Sequence, residues 1–183
     1  MMLANFLLGF LSYGPQTGYD LKKTLDTSTA FFWHAELAQI YPTLKHLLED
    51  GLIKSELETQ DSRPDKRIYS ITPAGRAALR KWLAEPLDDL PAKKDPVLLQ
   101  LFFSGALDKP TLLEQLRRQL AIHRAQLERY QAETKDTIQD QVTQSGLECE
   151  GVMWELVREY GVGHERHYVQ WLKHAIDVVE EQL

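Results

Sequence analysis

The chain has 183 residues, 43% apolar and 26% charged, with a formal net charge of -6. That is enough apolar material for one compact domain or two small ones, and the balance excludes global disorder. A single cysteine, Cys149, excludes an intrachain disulfide and a multi-cysteine zinc site. The acidity is unevenly spread: residues 1–84 carry ten Lys/Arg against nine Asp/Glu, whereas residues 85–183 carry eleven against eighteen. The N-terminal part is therefore able to present a local basic face.

The opening MMLANFLLGFL is apolar but has no basic leader region and no small-residue cleavage site. It also falls short of the ~18 apolar residues that a membrane span needs. Leu3, Phe6, Leu7, Phe10 and Leu11 recur at helical spacing, so a buried first helix is expected, with no membrane partner and a cytoplasmic location. Gly14-Pro15 stops it. Thr17 is placed to cap a second helix containing Tyr19, Leu21, Lys22 and Leu25. After the aromatic connection STAFFWHAE, a third helix is expected from about Ala38. Pro42 is expected within about its first turn, where a missing N–H costs little. Its apolar face is Ile40, Leu44, Leu47 and Leu48, and Gly51 is the expected residue just past its end.

Ile53–Thr59 and Arg67–Ile71 alternate with a period near two, which predicts two strands. The charged stretch between them, Gln60 to Lys66, makes them a ribbon with a cationic tip. Thr72 and Pro73 then open a fourth helix. Pro86 and Pro91 punctuate an acidic linker. The expected domains are 1–86, a winged helix; 87–95, the linker; and 96–183, a helical dimerisation domain. In that last region Pro96–Phe103 is short and apolar, and Pro110 opens a long helix to about Asp140. A heptad-like seam follows Leu113, Leu116, Leu120, His123, Leu127, Tyr130 and Thr134. The last helix is expected from about Val152 to Glu180, with Gly161 and Gly163 marking a kink. A seam of this length needs a neighbouring helix, a second subunit, or both. Leu113, Leu116, Leu120, Leu127, Tyr130 and Trp171 are the expected dimerisation residues. The predicted fold class is mainly α with a small β-wing: an N-terminal winged helix-turn-helix plus a C-terminal long-helix dimerisation region.

Three segments, LLGFLSYGPQTGYDLKKTLD, AQIYPTLKHLLEDGLI and KRIYSITPAGR, together resemble the PadR family of transcriptional regulators. The C-terminal half resembles the helical region of the subgroup similar to AphA-type virulence activators. The likeness spans essentially the whole chain, and the order and spacing of the three motifs make it fairly specific. It implies a homodimeric regulator of double-stranded DNA, commonly a repressor, whose affinity is changed by a small-molecule effector. No cofactor and no enzymatic activity are expected.

In a helix-turn-helix the second helix of the pair enters the major groove. Gln39 is the candidate for a base edge, Tyr41 and Thr43 for phosphate, with Lys45 and His46 beside them. Tyr41 packing against the wing is the bland alternative. Arg63, Lys66 and Arg67 in the wing suit phosphate or the minor groove, where attraction needs no strict geometry. The same charges also suit a solvated turn, with Asp61 and Asp65 as partners. Lys22 and Lys23, with Tyr19, are candidates for backbone phosphates.

His164, His167 and His174 fall at helical spacing, but no acidic or thiol cluster completes a metal site. Phe31, Phe32, Trp33, Trp82, Phe102, Phe103, Trp154 and Trp171 suit either core packing or a pocket for a planar effector. No nucleophile elbow, P-loop, dinucleotide fingerprint or zinc-protease motif is present. Ser12, Ser28 and Ser55 sit in ordinary capping or strand contexts. The competing reading is a winged-helix interaction adaptor that does not bind DNA.

Overall fold

The computed structural model describes residues 2–28, 33, 35–59, 65–88 and 94–183. It divides into two compact units, Met1–Pro91 and Ala92–Leu183. The first is built in the order α1 (Met2–Tyr13), β1 (Gln16–Thr17), α2 (Gly18–Ser28), α3 (Leu37–Glu49), β2 (Ile53–Glu58), β3 (Lys66–Ile71) and α4 (Pro73–Leu83). The second comprises α5 (Pro96–Phe102), a 3-10 turn (Ser104–Ala106), α6 (Lys109–Gln131), α7 (Glu133–Ser145) and α8 (Glu148–Gln182).

The N-terminal core gathers one face of each of several helices. Leu7, Leu8 and Leu11 of α1 meet Leu21 of α2, Ile40, Leu44 and Leu47 of α3, Ile53, Tyr69 and Leu79. Thr17 caps α2, its hydroxyl accepting from the Asp20 N–H at 3.1 Å. Gly51, at φ +67°, ends α3 in a left-handed conformation that a β-carbon would strain. Pro42 lies deeper in α3 than expected, in its second turn. It is exposed, so solvent can serve the helical carbonyl left without an N–H partner. The strands form one antiparallel sheet in the order β1-β3-β2, with Ile53 opposite Ile71 and Glu58 opposite Lys66. The two-residue β1 was not expected, because so short a strand has no period to read.

In the second unit α6 and α8 run antiparallel. Leu112, Leu113 and Leu116 pack on Tyr168, Leu172, Ile176 and Val179. At one end Lys109 and Arg117 reach the backbone and the carboxylate of Glu180 at 2.8 and 2.6 Å. At the other, Arg158 donates to the Tyr130 carbonyl at 2.8 Å. Two expectations change here. The long helix does not continue to Asp140: it breaks at Ala132, and α7 packs back on α8. No proline or glycine forces this. After Tyr130 the only large apolar side chain before Asp140 is Ile138, so the seam has run out. The last helix starts earlier, at Glu148, and stays helical through Gly161 and Gly163. The seam, finally, is closed from within: Leu113, Leu116 and Tyr130 are buried in their own chain, and Leu120, Leu127 and Trp171 are half-buried. Of the neighbouring helix and the second subunit, the former already covers the core-forming part.

Candidate nucleic-acid interface

The geometry begins with α3. Ile40, Leu44 and Leu47 hold it on the core, and at about 100° per residue the opposite arc is Ala38, Pro42, Lys45, His46 and Glu49. Gln39 and Thr43 lie on one flank of that arc and Tyr41 on the other. Tyr41 is 49% exposed, and Tyr19, at the start of α2, is 66% exposed. The surface formed by α2, α3 and the base of the wing is therefore polar and aromatic.

Several of these side chains are already engaged. Gln39 closes a capping box: its side-chain carbonyl oxygen accepts from the Glu36 N–H at 3.1 Å, while its amide NH2 remains to donate to a base edge. The Thr43 hydroxyl donates to the Gln39 backbone carbonyl at 2.7 Å, so in this rotamer it has no proton for a phosphate. Lys22 lies against Asp26 at 2.5 and 2.6 Å with its side chain 14% exposed, which leaves the neighbouring Lys23 as the open cation of α2. Lys45 and His46 share Glu49, at 3.7 and 3.3 Å, and both stay well exposed.

At the wing, Lys66 and Arg67 are exposed at the start of β3, opposite Glu58 and Leu57. Arg63 lies outside the described residues, as do Phe31 and Phe32. Tyr69 is buried beneath this surface, and burial raises its phenol pKa. On the facing strand, the hydrogen bond from Lys54 to Glu56 at 2.9 Å lowers that carboxylate's pKa.

Other aromatics have local partners within their own units. Trp33 stacks on Phe6 at 6.2 Å, and Trp82 packs on the N-terminal core. Phe102 and Phe103 lie edge-to-face at 5.1 Å, 82% and 70% exposed. Among the described residues, no group of three His, Cys, Asp or Glu is placed to hold a metal ion, and no helix is long and apolar enough to cross a membrane.

Residues 7–81 match the model of the transcriptional regulator PadR-like family, and residues 93–180 match that of the virulence activator alpha C-terminal region. The chain belongs to the PadR-like family. A probable transcriptional regulator of Mycobacterium tuberculosis is 28% identical over 191 residues, spanning 100% of both chains. The negative transcriptional regulator PadR of Bacillus subtilis is 26% identical over 175 residues, 96% of each chain. The crystal structure of that PadR in complex with operator DNA superposes with a TM-score of 0.82, covering 98% of this chain and 99% of that one. The virulence activator AphA of Vibrio cholerae gives 0.72 at 25% identity, over 99% of each chain.

The second module of this PadR-like regulator holds a polar network that sequence reading missed. His123 Nδ1 lies 2.5 Å from Glu165 Oε2, and the His123 ring stacks on Tyr168 with centroids 3.9 Å apart. The Tyr168 hydroxyl donates to both carboxylate oxygens of Asp95, at 3.0 and 2.9 Å. Asp95 is also the N-cap of α5. Burial, then the Asp95 carboxylate, pushes the Tyr168 pKa far up. His123 was read as one step of an apolar seam. The buried Glu165 facing it was the missing signal, because the spacing of one helix cannot show what another brings.

Proposed function

We propose that this PadR-like regulator is a repressor that binds a pseudo-palindromic operator as a homodimer. In this reading α3 enters the major groove, with Gln39, Tyr41, Lys45 and His46 on its face. Lys66, Arg67 and Arg63 of the wing track the phosphates, joined by Tyr19, Lys23 and, through a rearranged Asp26 pair, Lys22. The observation that carries it is the open polar arc of α3 lying opposite its core face in a winged helix. The operator complex of the 26% identical Bacillus subtilis protein supports it.

The test is a mobility shift on the duplex upstream of its own coding sequence, at two salt concentrations. Binding should weaken steeply with salt, and Arg63→Ala/Lys66→Ala should lower affinity and flatten the slope by about 2 in log–log terms. Tight, salt-insensitive binding in that variant would remove the wing from the interface. The near-balanced charge of residues 1–84 favours the adaptor reading as the runner-up, which predicts no duplex binding at either salt.

Dimerisation belongs to the same proposal. α8 exposes Val152, Met153, Leu156 and Val157 on one side, and α5 exposes Leu98, Leu99 and Phe102, followed by exposed Phe103. Apolar surface of this kind supports a second copy as its cover. Leu156→Glu/Val157→Glu should give a monomer by light scattering and lose operator binding; a variant that stays dimeric places the contact elsewhere. For the small-molecule effector, planar aromatic compounds are the class to screen. A hit should shift the melting temperature and release the duplex.

A further inference from the structure

Gly18 opens α2, and its backbone does not require glycine. Among the described residues, positive φ angles occur only at Gly14, Gly51 and Gly146. In a helix, alanine is ordinarily the better residue. What a side chain here would displace is a neighbouring ring. A β-carbon on Gly18 would lie 2.7 Å from Tyr41 Cε1, 3.1 Å from Cζ and 3.3 Å from the hydroxyl oxygen. The first of these is closer than real β-carbons come. The Tyr41 ring therefore rests on the bare first turn of α2.

Two further elements meet there. Gln16 and Thr17, just before Gly18, pair with Tyr69 and Ile68 of β3. The ring thus sits where α2, α3 and the wing strand converge, yet it remains half exposed. An exposed tyrosine normally samples several rotamers, and ordering it on binding costs affinity. A ring resting on α2 has part of that freedom removed before DNA arrives.

We propose that Gly18 is a positioning residue for DNA binding: its missing side chain lets Tyr41 dock on α2, which fixes the phenol at the groove-facing edge of the helix pair. This rests on the DNA-binding reading above. The occupant of the space is Tyr41, so the effect of filling it must depend on Tyr41.

Wild type, Gly18→Ala, Tyr41→Ala and the double variant are compared on the same upstream duplex, with melting temperatures measured alongside. Gly18→Ala should weaken binding by about tenfold, the order of one lost contact, while its melting temperature stays level or rises. In the Tyr41→Ala background the same change should alter affinity by less than about twofold. The cross-peak between the Gly18 α-protons and the Tyr41 ring, seen by NMR in the free wild type, locates the ring without DNA. If that cross-peak is missing, if Gly18→Ala binds as wild type, or if its loss persists without Tyr41, the proposal is overturned alone. No duplex binding by wild type overturns it together with the DNA reading.

Discussion

Thr72 shows how much one hydroxyl can hold. It accepts from the Gly75 N–H at 3.1 Å as the N-cap of α4, and lies 2.8 and 3.0 Å from the carbonyl oxygens of Gly51 and Leu52, to which it donates. It thereby ties the end of α3 to the start of α4. Thr72→Ala should destabilise the protein by about 1 kcal/mol in denaturant melts, with Thr72→Ser recovering most of the loss. Tyr168 makes a different prediction. Its folded pKa lies above the ordinary 10.0, so the phenol keeps its proton in the fold where the unfolded chain has released it. Stability from this group is full below pH 10.0 and is lost progressively as pH rises above it. The melting temperature should therefore decline above that pH, and Tyr168→Phe should decline less steeply from a lower starting value.

At the scale of elements, the most predictable parts were those marked by local chemistry. Thr72-Pro73 fixed the start of α4, Gly51 the end of α3, and period-two alternation the two wing strands. Each signal acts within a few residues of the boundary it sets. The break at Ala132 was not readable in the same way, because it comes from a seam that ends and from Arg158 donating to a carbonyl 28 residues away. The commitments of Gln39 and Thr43 were likewise hidden, since composition shows a donor but not where it is already used. The α6–α8 pairing gives an element-scale test. Leu172 is fully buried between the two helices, and Leu172→Ala should cost between about 2 and 5 kcal/mol by chemical denaturation. A loss below 1 kcal/mol would mean that the pair relaxes to fill the space.

For the whole molecule, charge and hydrophobicity are divided between the units. The N-terminal unit carries the cations of the wing and α3 on a nearly neutral body, while residues 85–183 hold the acid. With the first unit nearly neutral overall, affinity for DNA is predicted to depend on a few placed cations rather than on overall charge. The second unit is also strongly non-local. Leu112 and Leu116 of α6 are covered by Leu172, Ile176 and Val179 of α8, some sixty residues later in the sequence. A ribosome therefore releases the winged helix with its core complete, while α6 must wait with its apolar side uncovered until the far end of α8 has been made. During that interval the apolar side of α6 is surface that the finished fold hides.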